Sequence, residues 1–311
     1  MIMPRDDKPL KKAKSTKAGK SAKAGKSAKA DKSATPEKSA AAGMPPTPQS
    51  LLLSIERLLS QTGSVGEDTV YEAQQLVYDA MEAETEEQER DLIYKALELD
   101  PTNVDALLTF ARNCLFTDDE YIEVIRKIVA RGEKNLGPET FKEAAGHFWG
   151  LLETRPYMRA RVELAESLRA TGRLEEAIVE WEAMLKLNPG DNQGVRYGLL
   201  ACYLALNRLE GARRLFAEFE GDCQYSTVFA WGKVLERFLA GELAEAAAAL
   251  QFARKQNPHM QGYVKGHRQL PKYLPGSYAL GCKEEAMTFA DVLGAAWAKH
   301  PAALQWLGEQ K

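Results

Sequence analysis

The chain has 311 residues, with 41 Lys and Arg against 44 Asp and Glu and a formal net charge of −3. At 45% apolar and 27% charged residues, its composition is that of an ordinary soluble protein long enough for one or two folded domains, which excludes collagen-like and membrane-embedded classes. The near-balance of charge conceals a split: residues 1–50 hold 12 basic and four acidic side chains, a net +8, and the other 261 residues carry −11.

The first residues, MIMPRDDKPLKK, contain no apolar stretch of the kind a secretory signal needs. No run approaches the roughly 18–20 apolar residues of a membrane span; the nearest, Leu243–Ala253, is short and contains Glu245. Cys114, Cys202, Cys223 and Cys282 show no CxxC pair and read as free thiols in a reducing compartment, so a cytoplasmic location is expected. Residues 11–43 repeat KAGKSA and KADKSA at a six-residue period, without an aromatic or β-branched aliphatic residue. Such a segment buries too little apolar surface to offset about 1–2 kcal/mol of backbone entropy per residue, so a disordered tail is expected over 1–49, bounded by Met44-Pro45-Pro46-Thr47-Pro48. Gly25-Lys26-Ser27 imitates the end of a phosphate-binding loop, but the glycine spacing is one residue too long and the flanking strand and helix are missing. Lysine at every third position makes a polycation suited to weak, salt-sensitive and unspecific nucleic-acid contact; a solubilising tail has the same composition.

Beyond Ser50 the chain is rich in Ala, Leu, Glu and Arg and repeats itself at a period near 34. Gly172, Asn207 and Gly241 are turn residues 35 and 34 positions apart; Ala177, Ala212 and Ala246 keep that spacing, as do Trp181, Phe216 and Leu250. Pro189 and Pro258 close the first and third units. Leu164, Ala165 and Leu168, then Leu199, Leu200 and Tyr203, then Trp231, Val234, Leu235 and Phe238 form apolar helix stripes that one hairpin cannot bury alone. These features resemble the tetratricopeptide repeat, two antiparallel helices joined by a tight turn. Upstream, residues 70–83, 89–103 and 104–115 carry a degenerate version, Glu120–Ala130 and Glu139–Glu153 read as further helices, and Ser50–Leu59 as an N-terminal amphipathic one. The expected fold is all-α: a right-handed tetratricopeptide-type solenoid of about five helix pairs behind a basic tail. Its divisions are a tail at 1–49, degenerate repeats at 50–154, clear repeats at 155–258, and an irregular linker with capping helices at 259–311.

After Pro258 the chain passes through Pro271, Pro275, Gly276 and Gly281 to helices expected at Lys283–Lys299 and Ala302–Leu307, with Trp297 and Trp306 sealing the last repeat. Asn257-Pro258-His259, the stretch Leu270 to Leu274, Gly281, Glu284-Glu285 and Ala286 resemble the segment that follows the repeats in the suppressor of tumorigenicity 7 family. Arg161, Leu164, Gly172-Arg173, Glu176-Ala177 and Leu199-Leu200 match in style, so the resemblance spans roughly 155–298. It implies a helical-repeat protein and brings no catalytic activity with it. Animal members carry membrane segments, and this chain departs from them there.

Little in the chain points to catalysis. His259, His267 and Cys282 are too widely spaced for a zinc set, and no Ser or Cys sits in a nucleophile context, so neither enzyme chemistry, cofactor nor metal is expected. Glu175-Glu176 and Glu284-Glu285 occupy helix starts, where they complement the helix dipole. One constellation stands out around Pro156: Arg155, then Arg159, Val162, Glu166 and Arg169 along one helical stripe. By the resemblance to tetratricopeptide arrays that stripe lines a concave groove, to which the next units add Tyr197 and Glu236, with Arg196 nearby. Arginine grips carboxylates bidentately and tyrosine offers rigid contact area, so the expected function is a scaffold holding an acidic or C-terminal peptide of a partner protein.

Overall fold

A computed structural model describes residues 48–61, 65–114 and 116–310, with the side chains of 48–52 left out. The expected disordered tail falls outside these residues, apart from Pro48 and Gln49, which already belong to the first helix. Among the described residues every regular element is a helix.

α1 (Pro48–Ser60) packs against α5 (Asp118–Glu143), with Ile55 fully buried. Five antiparallel pairs then follow. They are α2 (Glu67–Met81) with α3 (Glu86–Leu99), α4 (Val104–Arg112) with α5, α6 (Arg155–Ala170) with α7 (Leu174–Leu187), α8 (Val195–Ala205) with α9 (Leu209–Glu218), and α10 (Thr227–Leu239) with α11 (Leu243–Gln256). Their starts are written locally. Thr85 Oγ1 accepts from the Gln88 amide at 3.2 Å, Asn103 Oδ1 from Ala106 at 2.9 Å, and Thr117 and Glu120 close a reciprocal capping box.

The ends of the first helices in the three clear repeats are equally regular. Gly172, Asn207 and Gly241 all take left-handed dihedrals, with φ of 79°, 55° and 79°. Each lets the next amide reach back five residues: Arg173 N to Leu168 O, Arg208 N to Tyr203 O and Glu242 N to Arg237 O, at 2.8, 2.7 and 3.0 Å. The small residues Ala177, Ala212 and Ala246 are fully buried, as the repeat spacing requires.

Two sequence expectations are corrected. Of the helix expected at 139–153 only the stretch to Glu143 forms, behind a break in the helical path at Gly137. α5 continues through Glu143 and bends at Gly137 (φ 70°, ψ 163°), where Pro138 has no amide to donate and restarts the helical path; a short 3-10 turn, Phe148–Gly150, follows.

The second correction concerns the C-terminal segment. α12 (Met260–Val264), α13 (Lys283–Ala298) and α14 (Pro301–Glu309) follow the last pair. The first helices α2, α4, α6, α8 and α10 touch one another in succession and form the inner face of the stack. α13 does not cap the end of this stack against α11; it lies across the inner face, packed on α8 and α10. The reason is apolar area: on α8 every residue from Gly198 to Leu204 is buried, and on α10 every residue from Thr227 to Gly232. Helices apolar on all sides need cover on both faces, and the paired second helix covers only one.

Candidate functional site

The inner face carries the residues singled out in the sequence, and the structure separates them into two groups. Arg159, Val162, Glu166 and Arg169 do lie on one half-buried stripe of α6. Arg159 is committed across the face: its Nε donates to Asp105 Oδ1 of α4 at 2.8 Å, and its second nitrogen pairs with Oδ2. Asp105 is only 2% exposed and also accepts from Gln74 Nε2 of α2 at 3.0 Å, so α2, α4 and α6 are tied by one polar ladder. Burial opposes the charge of Arg159, but Asp105 outweighs it and raises the guanidinium pKa further above its ordinary value. Arg169 Nε donates to Glu166 at 2.9 Å and faces Asp291 of α13 at 3.9 Å.

Tyr197 joins the same face from α8. Its ring is held edge-on by Phe229 of α10 at 5.8 Å and tilted against Phe289 of α13 at 5.7 Å, and burial raises its phenol pKa. The other three candidates turn elsewhere. Arg155 donates to the Trp149 carbonyl at 3.0 Å and stacks over that indole, clamping the turn before α6. Arg196 binds Asp191 at 2.7 Å and Asp222 at 2.5 Å, with its guanidinium over the rings of Tyr197 and Phe219. Glu236 is fully buried in the joint between α9 and α10, bound by Arg213 Nε at 2.7 Å and near Arg237. The contacts of these three lie within the repeats and the turn before α6.

Sequence reasoning missed what covers the face. α13 presents Ala286, Phe289, Ala290, Leu293, Ala296 and Trp297 as one buried stripe, and Trp297 meets Trp231 at 6.3 Å in an edge-to-face pair. Its fastenings are polar. Asn257 Nδ2 donates to Glu285 Oε2 and to the Cys282 carbonyl, both at 2.9 Å, and the Gly281 amide donates to Glu285 at 2.6 Å. At the other end His300 Nε2 donates to the Leu204 carbonyl at 2.8 Å, and Trp306 of α14 packs on Phe238. A signal for this existed: residues 198–206, GLLACYLAL, contain no charged residue, more than a single groove-lining helix allows.

Among the described residues no further α-helix is packed on α2, α4 and α6 along the inner face. There Glu163 accepts from Arg112 at 2.6 Å and from the Tyr121 hydroxyl at 2.8 Å. The neighbouring hairpin is strongly acidic: residues 66–100 hold 12 acidic and two basic side chains, a net −10, which is nearly all the charge carried by the chain beyond residue 50. The described residues contain no group of three or more His, Cys, Asp or Glu arranged for a metal ion, and no helix long and apolar enough to cross a membrane.

Comparison with protein-family models matches residues 168–218 to the tetratricopeptide repeat, from the last turn of α6 to the end of α9. No curated protein matches the chain.

Proposed function

Taking the tetratricopeptide repeat as premise, we propose that the protein is a non-enzymatic interaction scaffold that holds a segment of a partner protein on the inner face of α2, α4 and α6. The observation that carries this reading is α13: two helices further along, the same face of first helices accommodates a helix. The chemistry of the open stretch narrows the partner. Arg159 has both carboxylate-binding positions filled by Asp105, so a bidentate grip on an acidic peptide is not available from it. What remains is a half-buried stripe of mixed character, Val162, Glu166 and Arg169, suited to an amphipathic segment with apolar and basic residues on one side. The resemblance of residues 155–298 to the suppressor of tumorigenicity 7 family supports the reading, because the Asn257-Pro258-His259 step on which it rests holds the start of α13. A cytoplasmic site of action completes the proposal.

The test is affinity capture with the purified full-length chain, followed by the partner's affinity for a Val162→Glu, Glu166→Arg double variant. Both positions are partly exposed, and the thermal melt reports whether the fold is retained. At least a tenfold loss of affinity with an unchanged thermal melt is expected; unchanged affinity removes this face from the function.

A further inference from the structure

The seat of α13 is itself a helix-binding site, and the chain fills it with a tethered copy of the ligand class it takes. We infer that α13 is an exchangeable resident: an amphipathic helix of a partner protein, with apolar residues at the spacing of Ala286, Phe289, Ala290, Leu293, Ala296 and Trp297, displaces it from α8 and α10. This rests on the reading of the inner face as a protein-binding surface and extends it to a second, covered stretch.

Three observations lead there. First, the packing partners of α13 are α8, α10, α12 and α14, whereas each repeat is closed by its own second helix, so the solenoid does not depend on α13 for its pairing. Second, α12 and α13 are joined by residues 265–282, which carry no regular structure. Left-handed glycines stand at both ends, Gly266 at φ 70° and Gly281 at φ 76°. Between them Leu270, Tyr273, Leu274 and Leu280 are exposed. A tether of this length and exposure lets α13 leave without unfolding the five helix pairs that precede it. Third, the fit is incomplete. The rings of Trp231 and Trp297 meet at this interface, and their buried indole N–H groups find no acceptor among the described residues. A buried donor left unmatched weakens an interface, and a partner helix bringing Ser, Asn or Gln level with Trp231 supplies the acceptor that α13 lacks.

Exchange is favoured over simple opening by the composition of the seat. An empty seat bares Tyr197 and Trp231, the rings that Phe289 and Trp297 cover, to water; a substituted one leaves their burial unchanged. The resident therefore gives way to a helix of its own kind, and the ligand's advantage over α13 alone sets the shift.

The experiment uses the full chain and a fluorescent synthetic peptide of residues 283–309 as the probe, read by anisotropy. Phe289→Ala weakens the resident helix without altering the seat, and it should bind the peptide at least tenfold more tightly than the unmodified chain does. Hydrogen exchange on the unmodified chain, which needs no variant, should show the amides of α13 and α14 exchanging together at least tenfold faster than those of α8 and α10. A folded Phe289→Ala chain that ignores the peptide overturns the proposal, and so does exchange of α13 at the same rate as α8 and α10. Peptide-inhibited dimerisation of the unmodified chain overturns a foreign partner in favour of a second copy. None of these outcomes touches the Val162 and Glu166 test, which concerns different helices.

Discussion

Trp181 of α7 stands directly over Gly198 of α8: a Cβ placed on Gly198 would lie 2.6 Å from Trp181 Cη2. The indole is fully buried, so the missing side chain is what allows one repeat to dock on the next. Gly198→Ala should therefore force α8 away from α7 and destabilise the chain by about 1–3 kcal/mol, the usual range for overpacking. Urea denaturation followed by tryptophan fluorescence measures it; a midpoint within error of the parent contradicts the close approach.

The ladder between Arg159 and Asp105 gives a second expectation. Removing the guanidinium leaves a carboxylate that is 2% exposed with only Gln74 to bind it. Because Arg159 itself is partly exposed, the full cost of a broken buried pair is discounted, and Arg159→Ala should lose about 2–3 kcal/mol. Arg112, also an ion-paired residue on this face but half exposed, should cost less than about 1 kcal/mol on the same change. Denaturation of the two variants side by side checks the contrast, and equal losses would remove the distinction between them.

Asn207 and Gly172 test the turn geometry. At φ 55° Asn207 occupies backbone space that a side chain without a local hydrogen-bonding group tolerates poorly. Asn207→Gly should leave stability within about 0.5 kcal/mol, whereas Asn207→Ala and Gly172→Ala should each cost about 1–2 kcal/mol. Thermal melts of the three variants separate these outcomes. An alanine that is neutral at both positions would mean the five-residue return bond does not depend on the left-handed residue.

A pH dependence follows from Cys202. Burial pushes its thiol from 9.0 up to about 12, although the charge of Arg169 pulls the other way. The folded pKa is raised, so the folded chain keeps a proton that the unfolded chain releases. Stability from this group is complete below pH 9.0 and is lost as the pH rises toward about 12. Denaturation midpoints should therefore fall between pH 8 and pH 11, and Cys202→Ala should reduce the fall; an identical slope in the variant would show that other groups control it.

How far the sequence reaches can be read from particular residues. The turns at Gly172, Asn207 and Gly241, and the small residues Ala177, Ala212 and Ala246, were legible because a helical hairpin is a local object whose signals recur at a fixed spacing. The break at Gly137 and Pro138 was equally local and fell between the helices expected at Glu120–Ala130 and Glu139–Glu153, but the end of the second at Glu143 was not legible. The site was harder. A stripe such as Arg159, Glu166 and Arg169 is visible in one helix, but what each charge binds is decided by distant segments: Asp105 lies 54 residues from Arg159, and Asp291 belongs to a helix beyond the last repeat. The position of α13 depends on the same kind of long-range pairing. Only the uninterrupted apolar run of α8 hinted that a second cover was needed.

Chain order gives the covered face a history in time. α10 ends at Leu239 and α13 at Ala298. At a synthesis rate of about 5–20 residues per second, the apolar side of α8 and α10 leaves the ribosome about 3–12 s before its cover does. During that interval the nascent chain displays a strip that the finished protein hides. Whatever meets it there, a chaperone or a neighbouring nascent chain, competes with α13 before α13 exists.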